Sequence, residues 1–267
     1  MDLSLIKETF FSELKTLFSN DEIKAFWLWV SENIPPAPED KILIWVHEII
    51  AELKSQKPIQ YIFGYGYFHR YKFKVNEHTL IPRPETEELC ELILAENTNA
   101  KLRGIDIGTG SGCIPITLLA ERSNWEFTGV DISSGAIQIA AENAKILLQD
   151  SRCQFYIQDF FKIINEANHY DLIIANPPYI HPSESTKLDS RVVNFEPATA
   201  LFVKHDVLEY YRALKDYFSA NTNPKAQLWL ETHQDYCDDV VELFKDSFRA
   251  KKIEDFSQNP RFVKVTK

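Results

Sequence analysis

Asn176-Pro177-Pro178-Tyr179 is the stretch of this sequence best equipped to handle a planar amino group. Proline carries no N–H, and two in succession stiffen the chain while leaving carbonyls that no strand ladder pairs. Asn176 adds a side-chain carbonyl as acceptor and an amide as donor, and Tyr179 adds a flat aromatic face. Together they form a rigid group of acceptors beside a ring, suited to an amide or an exocyclic base amine. Taken alone, Pro-Pro would read as the end of a strand with an exposed aromatic beside it. The rest of the chain tips the reading toward chemistry.

A second chemical stretch is Gly108-Thr109-Gly110-Ser111-Gly112, which holds three of the chain's eight glycines. Such a loop lets a ligand approach the backbone, and Asp131 at the end of the following strand is placed to accept two ribose hydroxyls. The dinucleotide fingerprint is G-x-G-x-x-G, whereas this loop is G-x-G-x-G followed by Cys113. That spacing favours a nucleoside cofactor without pyrophosphate, S-adenosylmethionine, over NAD, which would also leave Asn176 to Tyr179 unexplained. Asp159 is placed to meet an adenine amino group and Phe160 its ring; the plainer reading of Asp159 is a helix cap.

The elements that must position these residues alternate between apolar strands and helical patterns, the mark of a parallel sheet. Strands are expected at Leu102 to Ile107, Phe127 to Asp131, Cys153 to Ile157, Tyr170 to Ala175 and Ala226 to Glu231, with two closing strands near Ile253 and Phe262 to Val265. The last of these alternates as an antiparallel edge or hairpin strand would. Helices are expected from near Gly112, over Ala136 to Leu147, Val207 to Phe218 and Tyr236 to Phe248, and a long loop carries Val192 to Leu201.

Upstream, Leu3, Ile6, Phe10 and Leu14 open a series of helical stripes that runs to about residue 55. Ser19-Asn20-Asp21 starts the second helix and Pro35-Pro36-Ala37-Pro38 precedes the third. Trp27, Trp29 and Trp45 fall on those stripes and read as core. From Lys57 to about Val75, aromatics alternate with glycine and basic residues as in a β-hairpin, and Lys57, Arg70, Lys72 and Lys74 face either solvent or an anionic partner. In Leu80-Ile-Pro82-Arg83-Pro84-Glu85-Thr86-Glu87, spacing alone reads as a stiff interdomain linker, with Thr86 capping the next helix. The expected domains are 1–56 (helical), 57–79 (hairpin linker) and 80–267 (catalytic).

The 267 residues are 45% hydrophobic, enough for a full core, and the net charge of −10 argues against a general affinity for nucleic acid. Four scattered cysteines without a C-x-x-C pair suggest neither a zinc knuckle nor a disulfide framework, and no metal is expected. Met1-Asp2-Leu3-Ser4 opens without a basic leader or long apolar run, so the reading is a cytoplasmic, monomeric protein with no membrane partner.

With these residues assembled, the chain resembles the glutamine methyltransferases of peptide-chain release factors, the HemK/PrmC-type family. The match runs through Pro58-Ile-Gln-Tyr-Ile62, Leu80 to Glu87, Asp106 to Gly112, Val130-Asp-Ile-Ser133, Asn143-Ala144, Asn176 to Ile180 and Phe195-Glu196-Pro197. It departs at Val203-Lys204-His205, Glu231-Thr232-His233 and Ser257-Gln258-Asn259, where the family often carries glycine. The resemblance implies a Rossmann-like class I methyltransferase domain, with a mostly parallel seven-stranded sheet, behind a helical domain that helps grip the release factor. It implies S-adenosylmethionine as donor, S-adenosylhomocysteine as product, and the glutamine of the Gly-Gly-Gln tip of class I release factors as acceptor. Asn176, Pro177, Pro178 and Tyr179 would hold that glutamine, while Arg83 and Glu196 order the lip by pairing. The competing readings are an amino-methyltransferase of DNA or RNA, and a cofactor-sensing module that holds release factors without modifying them.

Overall fold

The computed structural model describes residues 3–98, 101–162 and 169–267, so the reading made at Met1 and Asp2 lies outside the described residues. The chain divides into two compact units: Met1–Gly64 with Ser190–Phe195, and Tyr65–Asp189 with Glu196–Lys267.

The first unit is helical: Leu3–Leu14 (α1), Asn20–Glu32 (α2), Glu39–Lys54 (α3) and Ile59–Phe63 (α4). The apolar stripes converge on one core that includes Phe10, Ile23, Val30, Val46 and Leu53. A capping box starts α2, in which Glu22 N–H donates to Ser19 Oγ at 3.3 Å and Ser19 N–H to the Glu22 carboxylate at 3.0 Å, so two otherwise orphaned donors are satisfied. Trp27 is buried, and Trp29 and Trp45 pack on Phe63 at 5.8 and 6.2 Å between ring centroids, as core aromatics. The hairpin expected from Lys57 is shorter than the sequence pattern implied. Its first part is α4, closed by Gly64 at φ +72°, a left-handed cap that glycine adopts without a Cβ penalty.

The second unit opens with that shorter hairpin, Tyr65–Phe68 (β1) paired antiparallel with Tyr71–Lys74 (β2). Its cations have partners: Arg70 pairs with Glu121 at 2.5 Å, Lys74 with Glu142 at 2.9 Å, and Lys72 Nζ lies 3.2 Å from the Tyr65 ring centroid. Lys57, in the helical unit, pairs with Glu52 at 3.0 Å. Pro84–Glu96 (α5) follows, with Arg83 as N-cap and Pro84 at its first position, where a missing N–H costs nothing. Thr86 therefore lies inside the helix and does not cap it.

A seven-stranded sheet then forms in the order β5-β4-β3-β6-β7-β9-β8. In chain order its elements begin with Arg103–Ile107 (β3), Cys113–Glu121 (α6), Glu126–Asp131 (β4), Ser134–Leu147 (α7), Cys153–Ile157 (β5) and Tyr170–Ala175 (β6). Ser190–Phe195 (α8), Ala198–Leu201 (α9), Glu209–Ala220 (α10), Thr222–Glu231 (β7), Cys237–Lys245 (α11), Arg249–Glu254 (β8) and Pro260–Thr266 (β9) complete it. The stretch expected as a long loop thus contains two short helices, and the last helix stops three residues earlier than its pattern suggested. Strands β3 to β7 run parallel, with β6 buried among Leu172, Ile173, Ile174 and Ala175. β9 is antiparallel to both neighbours and sits between β7 and β8, so it is an interior strand of a hairpin and β8 is the edge. Val263 and Val265 of β9 are fully buried on one face with the half-buried Lys264 between them on the other, which explains the alternation, while Phe262 is buried on the Lys264 face. The turn before β9 holds Gln258 at φ +64°, a left-handed backbone without glycine.

Candidate active site

A cavity of about 340 Å3 opens at the carboxyl ends of β3, β4 and β6. The chain runs outward from β3 to β4 and β5, then returns to β3's other side with β6, and this reversal of strand order leaves a crevice in open α/β sheets.

On one side the glycine loop arches between β3 and α6. Gly108, Gly110 and Gly112 all have positive φ, and a Cβ on Gly112 would meet Ile116, Ala140 and Phe155 at 2.9 to 3.2 Å. Thr109, Ser111 and Gly110 line the cavity with Asp131. Asp131 Oδ2 accepts from Gly110 N–H and Oδ1 from Ser133 N–H, both at 2.9 Å, and a carboxylate has lone pairs to spare beyond these. Burial raises the Asp131 pKa and those N–H groups oppose the rise. Beneath the loop lies buried Asp106, with the Thr109 hydroxyl against it. Burial pushes Asp106 up to about 7, with the Thr109 hydroxyl opposing and the Asp131 charge adding. Thr109 and Ser111 put hydroxyls on the cavity wall, which fits a ligand with polar groups of its own.

Asp159 and Phe160 also line the cavity. Asp159 Oδ1 accepts from Phe161 N–H at 3.2 Å, so it caps a short 3-10 turn as well as facing the cavity. Phe160 is mostly core, packed on Tyr217 at 5.6 Å. The more exposed rings are those of Phe161 and Tyr210, 4.9 Å apart on the same wall.

The opposite side is built at the end of β6. Asn176, Pro177 and Pro178 line the cavity, and Asn176 Nδ2 donates to Thr86 Oγ1 at 3.3 Å. Thr86 in turn donates to Glu231 Oε2 at 2.7 Å. Glu231 is 2% exposed, and burial raises its pKa to about 7 while Thr86, Arg261 and Asn176 pull against that. Arg83 lines the cavity and pairs with Glu196 at 2.6 Å, while Glu196 also accepts from Ile81 N–H at 3.1 Å. The sequence left the partners of Arg83 and Glu196 open, and the structure pairs them with each other. Three expected site residues stand back from the cavity wall: Gly112, packed against Ile116, Ala140 and Phe155; Glu196, which is buried behind Arg83; and Tyr179, whose ring packs on His233 at 5.9 Å.

Leu80, Pro82, Arg83 and Thr86 all lie on the cavity wall, so the stretch read by spacing as a linker is part of the site. Thr86 and Glu231 went unread as site residues. Their only signal was indirect: Glu231 ends a strand that must neighbour another strand ending at Asn176. His78 was missed too; it lines the cavity and rests on Gly135, where an added Cβ would lie 2.3 Å from its ring.

The family model for a methyltransferase small domain matches residues 88–224. The release factor glutamine methyltransferase of Flavobacterium psychrophilum is 34% identical over 275 aligned residues, covering 96% of this chain and 96% of the relative. That of Bacteroides thetaiotaomicron is 39% identical, covering 75% of this chain and 72% of the relative. The chain belongs to the release factor glutamine methyltransferase family. It is accordingly a methyltransferase, and its sheet is the class I S-adenosylmethionine-dependent fold. The hMettl16 catalytic domain, solved in complex with MAT2A 3'UTR hairpin 1, has the same fold at a TM-score of 0.55 and 16% identity, covering 73% of this chain and 74% of the other. Among the described residues, no helix of this family member is long and apolar enough to cross a membrane.

Proposed function

We propose that the protein transfers the methyl group of S-adenosylmethionine to the side-chain amide nitrogen of the glutamine in the Gly-Gly-Gln motif of class I release factors, in the cytoplasm. The products are N5-methylglutamine and S-adenosylhomocysteine, and the modification tunes translation termination. Two supports carry this reading: the curated relatives just named, and Asn176 on the cavity wall with its amide nitrogen already engaged by Thr86.

The cavity residues fit the donor. Asp131 has lone pairs left for two ribose hydroxyls, Gly108 to Gly112 give backbone clearance, and Asp159, Phe160 and Phe161 offer an acceptor and rings for adenine. When bound, S-adenosylmethionine supplies an electrophilic methyl group on a sulfonium.

An amide nitrogen is a poor nucleophile because its lone pair is delocalised, so alignment must lower the barrier. The Asn176 carbonyl and the Pro177 backbone carbonyl accept the two N–H bonds of the glutamine and fix its direction. Positive charge that grows on nitrogen then meets two fixed oxygens, which bind the transition state better than the ground state. Alignment of this kind is worth about 7 to 11 kcal/mol, so no general base is needed before transfer. The surplus proton leaves to water or a neighbouring acceptor. Pro178 flanks the amide, Tyr179 supports that turn from behind through its packing on His233, and the Arg83–Glu196 pair holds the lip. The helical unit grips the release factor.

The test incubates the protein with labelled S-adenosylmethionine and a purified release factor, beside a factor whose Gly-Gly-Gln glutamine is alanine, and beside mixed DNA and RNA. Label on the intact factor alone is expected; label on nucleic acid and none on the factor would overturn the assignment. Asn176→Ala is expected to lose transfer by about 100-fold or more while calorimetry finds the donor still bound.

A further inference from the structure

We propose that Glu231 is a positioning residue for the transfer: through the Thr86 hydroxyl it fixes which way round the Asn176 carboxamide points, and so keeps the Asn176 carbonyl facing the substrate. This rests on the reading of Asn176 as the acceptor of the glutamine N–H.

The parallel register pairs Ala175 with Leu230, so the next residues, Asn176 and Glu231, leave adjacent strands side by side. α5 brings Thr86 between them. A carboxamide is nearly symmetric in shape, so packing alone does not choose between its two orientations; the hydrogen-bond network does. A hydroxyl has one proton and two lone pairs. Thr86 spends its proton on Glu231 Oε2, so only lone pairs remain for Asn176, and these accept from Nδ2. The Glu231 carboxylate also faces the Asn176 amide directly. With Nδ2 committed inward, Oδ1 is the end left for a ligand.

Glu231 is absent from the cavity wall while Thr86 and Asn176 are on it, so Glu231 acts through them and touches no substrate. The direction of the relay depends on charge. An ionised Glu231 only accepts, whereas a protonated one donates, which frees the Thr86 proton to turn toward Asn176 and removes the preference. The groups facing Glu231 are Arg261 of β9, which favours the ionised form, Glu85 of α5, which opposes it, and the buried Cys113 thiol of α6, whose pKa is raised by burial and also by the Glu231 charge. Tyr211 of α10 donates to the Glu231 backbone carbonyl at 3.1 Å, and Tyr179 lies near enough for the Glu231 charge to raise its pKa.

Two readouts test this. In protein carrying 15N-labelled asparagine, the Asn176 side-chain NH2 resonances are expected to move with pH about a midpoint near 7, and to stop doing so in Glu231→Gln. In turnover, kcat is expected to rise with pH up to that midpoint and level off. Glu231→Gln should lower kcat by about 100-fold, erase the pH limb and leave donor affinity by calorimetry within about twofold. Thr86→Ser should recover most of what Thr86→Val loses, and this pair carries the decision if Glu231→Gln does not fold. A folded Glu231→Gln protein with wild-type kcat and the wild-type pH limb would overturn the proposal. If the wild-type protein labels no release factor, the function reading fails instead, and the NH2 resonances still decide the role of Glu231.

Discussion

Asp106 and Glu231 are carboxyl groups at the carboxyl-terminal halves of two parallel strands, both fully enclosed and both pushed up to about 7 chiefly by burial. Glu231 has Thr86 as a donor, and the Thr109 hydroxyl lies against Asp106. An unfolded Asp or Glu titrates near 4, so between about pH 4 and 7 the folded protein holds more protons than the unfolded one. Folding stability contributed by such groups is full below the unfolded pKa and falls as pH rises through the folded one. Urea unfolding is therefore expected to find the wild-type protein less stable at pH 8 than at pH 5, by on the order of 3 kcal/mol from Asp106. Asp106→Asn should remove that part of the slope; parallel pH profiles for variant and wild type would refute the assignment. At this scale the sequence was legible where chemistry is local. Asn176-Pro177-Pro178, the glycine loop and Asp131 are consecutive or end-of-strand residues, and the fold brings them to one cavity. Glu231 was not legible, because it reaches Asn176 by way of Thr86, 145 residues away in the chain. Tyr179 was legible as an aromatic but not in its direction, since the ring it meets belongs to His233.

Elements whose pattern arises from burial on both faces were readable. The four apolar residues Leu172 to Ala175 of β6 and the run Ile114 to Leu119 of α6 are buried all round, so they carry no polar stripe. Pro115 sits in the first turn of α6, where its missing N–H has no partner to lose. What the pattern hid was order. Alternation in Phe262 to Val265 identified a strand of an antiparallel pair, but nothing local says that this strand lies inside β8. Likewise α4 is a single turn, too short for periodicity, set among aromatics that mimic a hairpin. Gly104 shows how neighbouring strands constrain each other. It pairs with Phe127 across β3 and β4, and a Cβ there would fall 2.3 Å from the Phe127 ring. Gly104→Ala is expected to cost about 1 to 3 kcal/mol in chemical denaturation by overpacking. Adding Phe127→Leu should return part of that loss, and costs that simply add would show that the ring is not the obstacle.

The molecule holds separate cores, one inside the helical unit and others on the faces of the sheet. Every residue on the cavity wall belongs to the unit Tyr65–Asp189 with Glu196–Lys267. Damage to the helical core should therefore spare the donor site. Phe10→Ala, at a fully buried position, is expected to cost about 3 to 5 kcal/mol, which is most of the stability of so small a unit. Circular dichroism should show an early loss of helix, with donor affinity unchanged by calorimetry. Methylation of the release factor should fall if the helical unit grips it, and transfer at the wild-type rate after that loss would remove the unit from substrate binding. The change of periodicity near residue 55 precedes the boundary between the two units, which falls after α4. The grouping of Ser190–Phe195 with the helical unit was not legible, since a six-residue helix interrupting the other unit leaves no compositional trace. The place of β6 has one more result. It is the middle strand of seven, with a parallel neighbour on each side, so amide protons of Ile173 and Ile174 exchange with solvent only when the whole sheet opens. Asn176 follows directly on that strand, so opening at the cavity is expected first in its walls, residues 78–86 and 197–204, and last at Asn176.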